Sequence, residues 1–263
     1  MSKGNVNSAI KLLTNNMNGG VLPLNEETIN LLKVKHPAGR EAHKDILVQG
    51  SIPLIENVIF DIIDDKMVFV AAKITCGGSG PSGMDADGWR RILISHDYSD
   101  AGSDLRKAIA SLIKMICIRE VNDQSLTPLM ASRLVPLDKN PGLRPIGVGE
   151  VLHRIMGKVV MSAFSEDVIG ASSSTQMCGR KSGSEAAIHA MRRMFSNEKT
   201  DAVILVDAMD AFNNLNRKAL LHNIKYVCPG ISTYVNNCYT NSARLFVIGG
   251  LELKSQEGTT QGD

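Results

Sequence analysis

The chain has 263 residues, 43% of them hydrophobic and 21% charged, a balance that excludes a wholly disordered or low-complexity chain and leaves room for one large core or two modest ones. The net charge is only +2, so the total singles out no polyanionic partner; the distribution says more, because residues 133–158 and 176–199 each set five Lys and Arg against two Asp and Glu, whereas residues 41–66 set two against six. The five cysteines are widely spaced and lack a Cys-x-x-Cys pair, which argues against zinc and for free thiols in a reducing, intracellular setting, while the absence of an apolar leader core or a bilayer-length apolar run leads to the expectation of no membrane.

In chain order, residues 1–75 read as short helical pieces joined by loops, punctuated by Pro23, Pro37 and Pro53. Gly77-Gly78-Ser79-Gly80-Pro81-Ser82-Gly83 follows. It lacks the Gly-Lys-Ser/Thr ending of a phosphate-cradling P-loop, so a loop leading into a helix over residues 87–94 is expected. Leu105, Ile109, Leu112, Ile113 and Ile116 recur at helical spacing and predict a helix over residues 103–119 with Ser103 as its N-cap. Residues 133–137 and 144–148 read as short strands around an Asn140-Pro141-Gly142 turn. Leu152, Ile155, Met156, Val159, Val160, Ala163 and Phe164 form one apolar stripe and predict a helix over residues 150–169, and a shorter helix is expected over residues 184–195. The continuous apolar run at residues 202–206 suits a central strand covered on both faces. A helix over residues 210–224 is expected next, and residues 244–248 and 251–254 flank Gly249-Gly250, a two-residue hairpin signal.

Four places carry chemistry. Val203-Ile204-Leu205-Val206 runs straight into Asp207, followed by Ala208-Met209-Asp210-Ala211-Phe212-Asn213. A buried Asp is costly without a cation or donors, and an Asp at the end of a rigid strand is a firm ligand for a divalent metal; an Asp capping the next helix, or a Walker B element, has the same pattern. Phe212 reads either as a ring beside such a site or as a core anchor. Lys139 and Arg144 flank the tight turn, where a hairpin can present both cations on one face to a triphosphate; a solvated hairpin is the alternative. The segment Gln256-Glu257-Gly258-Thr259-Thr260-Gln261-Gly262-Asp263 is rich in small polar residues and, alone, reads as a surface loop.

Together and in this order, the four places resemble the reverse-transcriptase family, especially the RNA-directed DNA polymerases of non-LTR retrotransposons. Lys139…Arg144-Pro145-Ile146 looks like the fingers hairpin that grips the incoming triphosphate. Gln176-Met177-Cys178-Gly179-Arg180-Lys181-Ser182-Gly183-Ser184 is similar to the family's Gln-x-Gly-Phe-Arg-x-Gly-x-Ser segment, with its first step altered. Asp207…Ala211-Phe212 resembles the first palm motif, and Gly258-Thr259-Thr260-Gln261-Gly262 the second. Gly80-Pro81-Ser82-Gly83 resembles a Gly-Pro-Asp-Gly segment before the fingers, with Ser82 in place of the Asp. The likeness spans residues 77–263.

The resemblance implies an α/β (α+β) fold: a helical N-terminal region over residues 1–76, a helical segment before the fingers over residues 77–130, and fingers with a partial palm, on an antiparallel sheet, over residues 131–263. It implies template-directed deoxynucleotidyl transfer with two Mg2+ or Mn2+ ions, an RNA template, a DNA primer and deoxynucleoside triphosphates. Asp207, helped by the carbonyl of Ala208, would bind metal; Lys139 and Arg144 would neutralise the triphosphate; Phe212 would exclude a ribose 2′-hydroxyl; Gln261 would touch nucleotide and template; Gly262, Arg180 and Lys181 would lie along template and primer. The family's third palm motif, an aromatic-x-Asp-Asp turn, does not occur in the chain, so these residues are expected to be an incomplete polymerase, inactive alone. An RNA-dependent RNA polymerase would carry an Asp where Phe212 stands. The alternative of another class is a degenerate mobile-element remnant that acts at most as a nucleic-acid-binding module.

Overall fold

A computed structural model describes residues 20–139, 142–172, 176–177, 182–196 and 200–259. Among them, mixed helix and strand surround two cores. The N-terminal part contributes α1 (Glu26–Val34), 3-10 turns at Lys44–Ile46 and Asn57–Ile62, and α2 (Asp65–Ile74). Then come α3 (Ala86–Ile94), a 3-10 turn at His96–Tyr98, α4 (Ser99–Ile118) and α5 (Asp123–Met130). The hairpin β1 (Ser132–Asp138) and β2 (Leu143–Gly149) leads into α6 (Val151–Ala163) and α7 (Ser165–Ala171). The chain continues through α8 (Gly183–Phe195), the single turn α9 (Ala211–Asn214), α10 (Arg217–Val227) and α11 (Pro229–Tyr239) to the hairpin β3 (Ala243–Val247) and β4 (Glu252–Ser255).

Short polar side chains start the helices where the backbone N–H groups of the first turn need acceptors. Asn25 caps α1 through Thr28 N, Asp64 caps α2 through Met67 N, Asp85 caps α3 through Gly88 N, and Asn216 caps α10 through Ala219 N. The helix expected from Ser103 begins a full turn earlier, because the 3-10 turn at His96–Tyr98 feeds directly into α4. The long helix expected over residues 150–169 is broken at Phe164 (φ −115°, ψ 23°), whose buried ring meets Phe60 edge-on at 5.5 Å. The helix expected over residues 210–224 is likewise two elements, split at Leu215-Asn216. Sequence reading missed α5, which carries Pro128 inside it, and α11, which starts on Pro229.

The sheet order is β2-β1-β3-β4. Both hairpins are antiparallel, but β1 and β3 run parallel, so the sheet is mixed where an antiparallel one was expected. Leu134, Leu143, Leu245 and Val247 bury one face of the sheet against Leu32 of α1. The larger core is helical: Val68 of α2, Leu93 of α3, Ile113 and Ile116 of α4, Ile155 and Val159 of α6 and Ile231 of α11 pack in one cluster. Among the described residues no helix is long and apolar enough to cross a membrane, and Cys76, Cys117 and Cys228 are free thiols.

Candidate functional site

The run at residues 202–206 forms no regular element and joins no strand among the described residues, and Ile204, Leu205 and Val206 are 86%, 80% and 89% exposed. This corrects the expectation of a buried central strand. A strand buries itself only when its N–H and C=O groups find a partner, and neither sheet edge, β2 nor β4, takes the run as a neighbour. Asp207 and Ala208 at its end are exposed.

The turn that follows is held firmly. Asp210 adopts a left-handed backbone (φ 50°) and its carboxylate takes the Lys35 ammonium at 2.6 Å. The buried Asn213 amide donates to the Lys35 carbonyl at 2.8 Å, and Arg40 Nη2 donates to the Asn214 carbonyl at 2.9 Å. Asn216 reaches the carbonyls of Arg40 and Glu41. The N-terminal segment at residues 35–41, for which the sequence suggested no role, thus laces the turn that carries Phe212, whose ring is 60% exposed.

The loop at residues 257–259 closes on the same turn. Thr259 N donates to the Phe212 carbonyl and Gly258 N to the Leu215 carbonyl, both at 2.7 Å. Gly258 has φ 57°, and a Cβ there would overlap the Phe212 carbonyl, so the close approach needs glycine. The clamp beneath is polar and buried. Arg217, 4% exposed, donates from Nε to the Gly258 carbonyl at 2.9 Å, from Nη1 to the Ser255 carbonyl at 2.8 Å, and from Nη2 to Ser255 Oγ at 2.8 Å and the Glu257 carbonyl at 3.0 Å. The Glu257 carboxylate, 3% exposed, accepts from the Arg217 N–H at 2.9 Å and from the Arg40 N–H. A buried guanidinium and a buried carboxylate are tolerated because nearly every donor and acceptor is engaged.

The β1–β2 register sets Leu137 opposite Arg144. Lys139 lies in the turn just beyond the end of β1, and both Lys139 and Arg144 are exposed. Lys139 N donates to the Gly142 carbonyl at 3.0 Å and closes the turn. Next to this hairpin, the glycine-rich loop binds protein groups rather than standing open. Ser82 N and Oγ donate to the Glu150 carboxylate, each at 2.7 Å, and Arg154 donates to the carbonyls of Cys76 and Gly78. A Cβ at Gly80 would stand 2.8 Å from Glu150 N.

Of the residues singled out by sequence, the structure therefore joins Phe212 to the Gly258-Thr259 loop and leaves Lys139 and Arg144 exposed on the same hairpin. No hydrogen bond or ion pair links that hairpin to the Phe212 turn among the described residues. Arg180, Lys181, Gln261 and Gly262 lie outside the described residues. Two divalent ions need several oxygen ligands. Asp207 is a single carboxylate, Asp210 is committed to Lys35, and among the described residues no group of three His, Cys, Asp or Glu side chains could hold a metal. The described residues do not fit such an ion pair. Sequence reading missed Arg217, Glu257, Lys35 and Arg40. One local signal was present for Arg217: a cation in the first turn of a helix opposes the helix dipole and so points to a specific partner. No protein-family model matches the chain, and no curated protein matches it.

Proposed function

We propose that this chain carries the fingers and the first part of the palm of an RNA-directed DNA polymerase of the non-LTR retrotransposon kind. The observation that carries the reading is the meeting of two motif segments far apart in sequence: the loop at residues 258–259 hydrogen-bonds to the Phe212 and Leu215 carbonyls at 2.7 Å. In this reading Phe212 is the wall against which a deoxyribose packs, and the rigid loop beside it steers the template strand. The exposed pair Lys139 and Arg144 neutralises phosphates of the incoming nucleotide. Asp207 is the carboxylate that this chain offers in this reading, and no catalytic step is assigned to it.

The test is binding of a fluorescent RNA-template/DNA-primer duplex to the purified chain, followed by anisotropy. Lys139→Glu with Arg144→Glu is expected to weaken binding about tenfold or more. Equal affinity of wild type and double variant, or no binding at low salt, would sink the reading of the hairpin. A second reading, a nucleic-acid-binding module without catalysis, is favoured by one observation: among the described residues Asp207 belongs to no group of three His, Cys, Asp or Glu side chains that could hold a metal.

A further inference from the structure

We propose that the cavity between α6 and α11 is a separate binding site for a small planar ring that bears one anionic group. This inference does not rest on the polymerase reading. The cavity holds about 340 Å³, within the range of small-ligand sites. His153, Gly157 and Met161 recur at helical spacing along one face of α6, and Ile231, Tyr234 and Val235 line the opposite wall on α11. Gly157 leaves the floor open: a Cβ there would stand 3.7 Å from the Tyr234 hydroxyl.

Three polar groups converge on this largely apolar space. Lys158 is exposed at the cavity's edge and forms no ion pair among the described residues, so its ammonium is available to an anion. His153 is half-buried and makes no hydrogen bond among the described residues; burial pushes its imidazole down to about 4, so at neutral pH the ring offers one donor and one acceptor without charge. Tyr234 is 7% exposed, its hydroxyl has no nitrogen or oxygen partner among the described residues, and its neighbour is the Cys238 thiol, a weak partner. Aliphatic and aromatic walls suit the faces of a flat ring. The Lys158 ammonium suits an anionic group, and the uncharged imidazole suits a ring heteroatom or hydroxyl. The buried Tyr234 hydroxyl has only a thiol for a neighbour, and a ligand of this chemistry offers it a stronger oxygen or nitrogen partner. Arg154 also lines the cavity; its Nη1 and Nη2 donate to the carbonyls of Cys76 and Gly78, and its buried Nε has no partner among the described residues.

The ring anion could be an aromatic acid or a nucleoside monophosphate, and the experiment separates these sources. The full chain is titrated with 4-hydroxybenzoate, with adenosine monophosphate and with inorganic phosphate, and the His153 ring resonances are followed by NMR. At least one ring anion is expected to shift them saturably below about 5 mM, and phosphate alone is not. The probe that saturates first identifies the source. Lys158→Glu is expected to weaken binding about tenfold or more, Met161→Trp to block the cavity, and Lys107→Glu on α4 to change nothing. Lys158 is exposed, so its variant keeps the test valid if the tryptophan variant fails to fold. The proposal is overturned if neither ring anion moves the His153 signals, if phosphate competes as well as they do, or if Lys158→Glu binds like wild type.

Discussion

Arg217 shows how one side chain can fix a site it does not enter. Its guanidinium serves the carbonyls of Ser255, Glu257 and Gly258 and the Ser255 hydroxyl. Arg217→Met would leave those groups buried without a donor, and the expected loss is about 3–5 kcal/mol, read from urea unfolding. Amide exchange at Gly258 and Thr259 should rise with it. Arg217→Lys should recover only part, since a single ammonium cannot span the planar fork. A loss below about 1 kcal/mol with unchanged exchange would show that the loop is held by other means. His153 makes a second prediction at this scale. Its ordinary value is 6.5 and burial lowers it to about 4 in the folded chain, so between these values the unfolded chain binds the extra proton. The contribution of His153 is therefore full above pH 6.5 and lost as pH falls toward 4, by at most about 3 kcal/mol. Comparing urea midpoints at neutral pH and in this acidic window, His153→Gln should lose less stability than wild type. An equal loss would place the acid sensitivity in other groups.

Among the elements, those with a strict local code were legible. Both hairpins follow from turn residues between short apolar runs, and Gly249 and Gly250 take the positive φ values (93° and 88°) that the turn demands. The apolar stripe of α6 was legible too, but its end was not, because Phe164 breaks the helix to pack against Phe60, a contact that periodicity does not encode. The same limit explains the site. The Asp207–Phe212 segment and the loop at residues 258–259 stand out by composition, whereas Lys35 and Arg40 act on residues 175 and 174 positions away, and no local pattern announces such a contact. The apolar run at residues 202–206 failed for the opposite reason: its composition is that of a buried strand, yet burial needs a hydrogen-bonded neighbour that the described residues do not give it. Leu205, 80% exposed, turns this into a test. Leu205→Lys should change the melting temperature by the equivalent of no more than about 0.5 kcal/mol. A loss above about 3 kcal/mol would mean that the run is paired and covered in solution.

At the scale of the molecule, the N-terminal part is integral to both the scaffold and the site. Leu32 of α1 is fully buried in the sheet core, and a few residues later Lys35 and Arg40 lace the Phe212 turn and the Glu257 loop. The proposed nucleic-acid binding and the proposed catalysis separate by experiment. The net charge of +2 is too small to attract a polyanion as a whole, so binding has to come from local cations. If Lys139 and Arg144 neutralise two phosphates, affinity for a template–primer should fall about twelvefold between about 50 and 200 mM salt, and the double Glu variant should lose most of that dependence. Primer extension should be absent from the same preparation with Mg2+ or Mn2+, because one carboxylate at Asp207 cannot hold two ions in the geometry that in-line displacement requires. Salt-sensitive binding without extension is the expected pair of results. Extension by the purified chain would require further carboxylates that converge on Asp207, and would overturn the assignment of Asp207 as a lone ligand.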